Sequence, residues 1–267
     1  MNFENRDPFF KKIGSRPEEI KIQDVARGNQ SSLSLVDPKS RDDVSSYYQF
    51  EIDQGFSKVN PKTTFEKMID FRQQQIRDGK LKVLMAKGGD QVIATAVVVL
   101  ENGTMGKKLN QDEAWAAGTV VDKTIQGLGI GEKIAREEDK IALEAGKKYI
   151  LTIITNDNFS SMRVYMKIGY QLEGIDKREE ETNYIYRKNL LETQPQIDWQ
   201  TAMGENPVIF EGKIDESTPD RILIDPNNDQ AVQQALDNNY RGIHLLTPKD
   251  LRNPDKIDRN LIVFAKR

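Results

Sequence analysis

The chain contains no cysteine and only one histidine, His244, and these two absences exclude more chemistry than any single motif adds. Without thiols there is no disulfide, no thiolate metal site and no cysteine nucleophile. A single imidazole excludes a multi-histidine metal centre, and any histidine-based triad would have to run through His244. No metal is expected. Long apolar runs are missing too. The longest, Val92 to Leu100, falls far short of the about 20 residues that a bilayer requires. The amino-terminal MNFENRDPFFKK lacks the apolar centre of a secretory signal, so a cytoplasmic protein with no membrane partner is expected. Nor is charge of one sign segregated. The 39 lysines and arginines are interspersed with 42 acids for a net charge of −3, which argues against nucleic acid as a partner.

What remains is a polar, globular composition, 37% hydrophobic and 30% charged over 267 residues. That length holds one large domain, or a medium and a small one. Residues 1–30 read as an arm that packs Phe9 and Phe10 on the main body. SLSLV, Ser32 to Val36, alternates as a short strand, and DPKSRDD then offers caps for a helix from Val44 to about Gly55. Asn60-Pro61 predicts the start of a second helix, whose Phe65, Met68, Ile69, Phe71 and Ile76 keep roughly the helical period until Asp78-Gly79. Strands Leu81–Lys87 and Gln91–Leu100 flank Gly88-Gly89-Asp90 as a hairpin. ATAVVVL in the second is apolar enough to be covered on both faces. Residues 101–112 are a polar loop.

WAAGTVVDKTIQGLGIGE, Trp115 to Glu132, is the centre of the chain. It reads as a strand, a turn crowded with Gly127, Gly129 and Gly131, and the first turn of a helix reaching about Ala145. Glycines between a strand and a helix let backbone N–H groups close on a phosphate, with the helix dipole adding to the attraction. YILTIIT, Tyr149 to Thr155, completes a strand–helix–strand unit, so its two strands should be parallel. A short helix, Ser160 to Ile168, and strands Tyr170–Lys177 and Thr182–Lys188 follow, the strands joined by the acidic turn KREEE. Together these predict a mixed α/β (α+β) sheet with helices on both faces, spanning residues 31–191. TQPQIDWQ reads as part of a linker over 192–206. Residues 207–267 offer VIFEGKI, RILIDP, a helix over about Asn228–Asn239, GIHLLT and LIVFAK, a small appended α/β unit.

The glycine turn is not a dinucleotide fingerprint, since in Gly127-Leu128-Gly129-Ile130-Gly131-Glu132 the third glycine comes one position early. It also lacks the Gly-Lys-Ser/Thr of NTPase phosphate loops. Gln126-x-x-Gly129-x-Gly131 after Val120-Val121-Asp122 instead resembles the coenzyme A signature of the GNAT superfamily of acyl-CoA N-acyltransferases. Asn158-x-x-Ser161-x-x-Val164-Tyr165-x-x-Ile168-Gly169-Tyr170 resembles that family's second conserved segment at the spacing the family has. The resemblance covers about residues 32–191 and leaves out the arm and the C-terminal unit.

The resemblance implies acetyl-CoA as co-substrate and an amine, in a small molecule or a protein, as acceptor. Backbone N–H groups of Gln126, Gly127, Leu128, Gly129, Ile130 and Gly131 would bind the pyrophosphate. Thr119, Val120 and Val121 would pair with the pantetheine, Asn158 would supply an amide to it, Ser161 would be a further cofactor-binding residue, and an N–H near Val120 or Val121 would face the thioester oxygen. Tyr165 is the expected proton donor, a phenol of pKa about 10 serving a thiol of about 8.5. The family's usual strand glutamate is missing: Ala116, Ala117 and Gly118 stand there. The amine's proton therefore goes either to Glu113, the nearest carboxylate, or to water. Trp115, Lys133, His244 and the acidic turn at 178–181 read as structural or solvent-facing. The implied function is an N-acetyltransferase working by direct attack. A non-catalytic acyl-CoA-binding module is the alternative, and homodimer formation is kept open for the C-terminal unit.

Overall fold

The computed structural model describes residues 19–23, 30–56, 64–106, 108–177, 181–192, 209–210, 214–215, 217–250 and 259–267. Its strands are β1 (Glu19–Gln23), β2 (Gln30–Val36), β3 (Leu81–Gly88), β4 (Gln91–Val99), β5 (Glu113–Val121), β6 (Tyr149–Thr155), β7 (Gln171–Lys177), β8 (Thr182–Asn189), β9 (Arg221–Ile224), β10 (Tyr240–Leu246) and β11 (Leu261–Lys266). The helices are α1 (Arg41–Asp53), α2 (Phe65–Arg77), α3 (Ile130–Glu144), α4 (Phe159–Lys167) and α5 (Asp229–Asp237). Phe9, Phe10 and Asn60-Pro61 lie outside the described residues, as do most of the expected linker and the centre of the acidic turn.

Local sequence sets the helix ends. Ser40 caps α1 in a reciprocal box with Asp43, so the helix starts at Arg41, three residues before the expected Val44. Thr64 caps α2 by accepting from the Lys67 N–H, and Asn158 caps α4 by accepting from Ser161. The amphipathic stripe of α1 carries Val44, Tyr47, Tyr48 and also Glu51, all buried. The corresponding side of α2 carries Ile69 and Arg72.

All described strands form one sheet, in the order β1-β2-β3-β4-β5-β6-β8-β7-β10-β11-β9. β1 lies inside what the sequence presented as an arm; it pairs with β2 from Glu19↔Ser34 to Gln23↔Gln30. Among the strands described, β5 and β6 form the one parallel pair, as the strand–helix–strand unit requires; an isolated bridge between Ile209 and Leu223 is also parallel. Side chains of β4 alternate between two cores. Val97 and Val99 join the cluster under α1 and α2, whereas Ala94, Ala96 and Val98 face the side of α3. β4 is thus covered on both faces, as its apolar ATAVVVL run predicts.

The C-terminal strands continue this sheet. β10 meets β7 at Gly242↔Leu172, and glycine is needed there: an added Cβ would come within 2.9 Å of the Leu172 Cβ and 3.0 Å of Ile262. Ile222, Ala231, Val232, Tyr240 and Phe264 share one buried cluster with Met162, Tyr165 and Met166 of α4. Polar contacts hold α4 and its approach from the same side. Asp229 accepts from Thr182 (2.6 Å), Tyr184 (3.1 Å) and Asn156 (3.4 Å), and Arg163 donates to Asp250 at 2.9 Å. The C-terminal unit therefore backs the helix that carries Tyr165.

Candidate active site

β5 and β6 are paired only at Glu113↔Tyr149, Ala114↔Ile150 and Trp115↔Leu151. Beyond Trp115 the two strands part, although β5 stays paired with β4 and β6 with β8 along their lengths. The result is a wedge with backbone edges on both walls, Ala116 to Val121 on one side and Thr152 to Thr155 on the other.

A bulge in β5 sits inside that wedge. Val97 faces Ala117 while Thr95 faces Val120, so one extra residue is accommodated at Gly118-Thr119. Gly118 takes φ 71°, and the irregularity resets the alternation. Ala114 and Ala116 face α3, Trp115 and Val120 face α1 and α2, and Thr119 faces α3 and α4. On the other face of the bulge, a Cβ on Gly118 would lie 3.2 Å from the Phe56 ring and 3.5 Å from Glu51 Oε1. Gly118→Ala should therefore cost about 1–2 kcal/mol of stability, from left-handed backbone strain and the displaced ring. Urea denaturation monitored by Trp fluorescence measures it, and an unchanged midpoint would count against a rigid bulge.

The cradle follows β5. Asp122 accepts from the Thr124 N–H at 2.8 Å and starts a short 3₁₀ turn, and the Gln126 side chain donates to the Val121 carbonyl at 3.1 Å. Gly127 and Gly129 have φ 83° and 77°, and a Cβ added to either would meet nothing within 4 Å. Gly129 is the N-cap of α3 and supplies no capping side chain. The first N–H groups of α3 thus lack a side-chain cap at the positive end of the helix dipole. Glu132, in that first turn, gathers Arg136 (2.9 Å) and Lys167 (2.7 Å) beside them. A turn with open space over its glycines and uncapped N–H groups fits a pyrophosphate.

Across the wedge, Tyr165 reaches from α4 to β5. Its hydroxyl lies 2.8 Å from Thr119 Oγ1 and 2.9 Å from Oε2 of Glu138 on α3, while Thr119 Oγ1 lies 2.8 Å from Glu138 Oε1. Glu138 is fully buried, and burial pushes its carboxyl up to about 8 despite the hydrogen bonds from Thr119 and Tyr165, which pull it down. Burial, with the neighbouring Glu138, also raises the Tyr165 phenol well above 10. The Tyr165 ring packs edge-on against Tyr170, with centroids 4.9 Å apart.

The structure thus brings Thr119, Val120, Val121, Tyr165, Asn158 and the Gln126–Gly131 turn to one region, and does not bring Glu113 there. Glu113 is at the start of β5, six residues or about 20 Å along the strand from Thr119. It is buried, 3.1 Å from Arg187, and accepts from both the backbone and the side-chain amide of Asn110. Trp115 is buried in the cluster under α1 and α2. Glu138 and Glu51 were not singled out by sequence. The signal was there for Glu138, which falls on the buried ridge Ile130, Ile134, Glu138, Ala142, where a carboxylate needs a partner. Among the described residues, no group of three or more His, Asp or Glu could hold a metal ion, and no helix is long and apolar enough to cross a membrane.

Residues 45–170 match the family model of the acetyltransferase (GNAT) family. A solved structure described as an acetyltransferase from Acinetobacter baylyi ADP1 aligns with a TM-score of 0.51 at 15% identity, covering 61% of this chain and 97% of its own. A GNAT-family acetyltransferase from Streptococcus pneumoniae aligns at 0.48 and 16% identity, with 58% and 99% covered. An acetyltransferase from Salmonella typhimurium with acetyl-CoA aligns at 0.47 and 13%, with 60% and 96% covered. No curated protein sequence matches the chain significantly. Residues 45–170, whose glycine turn, strand wedge and Asn158–Tyr170 segment stand as described, are thus a domain of the acetyltransferase (GNAT) family.

Proposed function

We propose that this protein is an N-acetyltransferase that passes the acetyl group of acetyl-CoA to a primary amine by direct attack in a ternary complex. The observation that carries this reading is the approach of the Tyr165 hydroxyl to Thr119, at the bulge of a strand wedge that ends in an uncapped glycine turn. In this reading the N–H groups of Gln126 to Gly131 hold the pyrophosphate, with Arg136 and Lys167 beside them. The open edge of Thr119 to Val121 takes the pantetheine. Asn158 spends its side-chain oxygen on capping α4 at the Ser161 N–H, so its amide is the group turned to the pantetheine.

An N–H of Val120 or Val121 faces the thioester oxygen, where negative charge develops. Tyr165 supplies the proton to the leaving sulfur. Glu113 is held by Arg187 at the far end of the strand, so the amine gives up its proton to water. With no cysteine to carry an acyl group, transfer is direct and the kinetics are sequential.

The test combines binding and turnover. Acetyl-CoA at 100 times its dissociation constant should stabilise the protein by about 2.7 kcal/mol. A panel of simple amines, polyamines and peptides with free N-termini should reveal turnover, and Tyr165→Phe should lower kcat about 100-fold while acetyl-CoA affinity holds. Binding without turnover on the whole panel would favour an acyl-CoA-binding module, and no stabilisation by any coenzyme A thioester would overturn both readings.

A further inference from the structure

Resting on the proton-donor role of Tyr165, we propose that Glu138 is a positioning residue that stores, behind the tyrosine, the proton that the leaving sulfur receives. The geometry carries it. Thr119 Oγ1, Tyr165 OH and the Glu138 carboxyl form a closed ring of three oxygen–oxygen contacts at 2.8, 2.8 and 2.9 Å. Three such contacts need three hydrogens, and the two hydroxyls supply only two. The third belongs on the carboxyl. In the ring so completed, Glu138 donates to Tyr165, Tyr165 to Thr119, and Thr119 back to the second Glu138 oxygen, each bond polarising the next.

Surroundings agree with a neutral Glu138. It is fully buried, with Thr119 facing it from β5 and Tyr165 from α4. Its neighbour on α3, Asp139, is negative and disfavours a second charge. The nearby cation, Lys188 of β8, is engaged by Asp139 at 2.6 Å, and Tyr170 also donates to Asp139. Arg136 acts on Asp139 and is paired with Glu132. Among the described residues, no cation contacts Glu138.

The step balances. As the amine nitrogen bonds to the carbonyl carbon, the carbon–sulfur bond breaks and its electron pair stays on sulfur. Tyr165 turns its O–H from Thr119 to that sulfur and releases the proton, and in the same motion takes the proton of Glu138. Tyr165 ends neutral, so no phenolate forms beside a buried acid. Glu138 ends as a carboxylate accepting from both hydroxyls, and regains a proton from water when the product leaves. The attacking nitrogen's own proton goes to solvent.

The experiment uses hydroxylamine, a small nucleophile whose nitrogen is already neutral at pH 7, so that acceptor deprotonation does not shape the profile. Release of coenzyme A thiol from acetyl-CoA, above the uncatalysed rate, is followed from pH 6.5 to 9.5 for the full chain. The wild type should hold a plateau and then fall tenfold per pH unit above about 8. Glu138→Gln and Tyr165→Phe should both lose that descending limb, and Glu138→Gln should be about tenfold to a hundredfold slower at pH 7. A limb that persists unchanged in a folded Glu138→Gln protein overturns the role of Glu138 alone. No acceleration by the wild type overturns the transferase reading beneath it. Should Glu138→Gln fail to fold, infrared spectroscopy of the wild type decides: a protonated carboxyl band present at pH 6.5 and lost by pH 9.5 supports the proposal, and its absence at pH 6.5 overturns it.

Discussion

Replacing Arg72 by methionine should lower the stability of the fold by about 3–5 kcal/mol, a large part of the 5–15 kcal/mol typical of a domain. Arg72 on α2 is 6% exposed and Glu51 on α1 is 1% exposed. The guanidinium donates to Glu51 at 2.9 Å and to the Tyr47 hydroxyl at 3.0 Å, and it lies over the rings of Tyr47 and Tyr48, 5.2 and 4.4 Å from their centroids. Methionine retains the length of the side chain and its apolar contact with the rings, so the expected loss comes from leaving the Glu51 carboxylate buried without its guanidinium. The double variant Arg72→Met with Glu51→Leu should recover most of the loss, since it removes both charges together. Urea midpoints with unchanged m-values measure both. A single variant within about 1 kcal/mol of wild type would show that the pair is held far more loosely than these distances imply. Because Glu51 also lies beside Gly118, the single variant should loosen the bulge as well.

Glu51, Arg72 and Glu138 show where sequence reasoning reaches its limit. Each is a charged residue on the apolar stripe of a helix, and each was visible as an exception to its own periodicity. What no periodicity supplies is the partner. Arg72 meets Glu51 only because α1 and α2 pack on the same face, and Glu138 meets Thr119 and Tyr165 only because the bulge turns Thr119 towards α3. The cradle was legible for the opposite reason: its glycines, the Asp122 turn and the Gln126 bond to Val121 all lie within a few residues, so local chemistry suffices. β1 escaped notice because Glu19–Gln23, although it alternates as Ser32–Val36 does, stands in a polar segment that reads as an arm; its pairing partner is β2. The C-terminal strands were read as strands, but their place in the sheet depends on Gly242 admitting Leu172 and Ile262 at contact distance, a long-range fit that neither segment announces. Glu113 looked available in sequence, but Asn110 three residues before it donates to its carboxylate and Arg187 on β8 pairs with it.

Alkaline pH should destabilise the folded chain through Glu138, and Glu138→Gln should remove most of that dependence. The sign follows from burial. The carboxyl is pushed up to about 8 in the fold, against about 4.3 in an unfolded chain, so the folded state binds the extra proton between those values. The stability that the neutral acid confers is complete below the unfolded value and is lost as pH rises to about 8, on the order of 1.4 kcal/mol per pH unit. From pH 6 to pH 9 the loss should come to roughly 3 kcal/mol. Asp139 is also raised by burial, against the pull of Lys188, and adds in the same direction. Tyr165 and Tyr170 are raised well above 10 and enter only at higher pH. His244, lowered by burial to about 4, acts at the other end: the fold keeps it neutral, and stability is lost as pH falls from about 6.5 towards 4. Denaturant titrations at pH 6, 7.5 and 9 separate these effects. Wild type and Glu138→Gln should converge or cross as pH rises, because only the wild type must bury a charge there, whereas parallel curves would mean that Glu138 ionises without cost. That same reluctance to ionise is what would let Glu138 hold a proton for Tyr165, and the hydrogen-bond ring that makes it a store also limits the pH at which the fold is most stable.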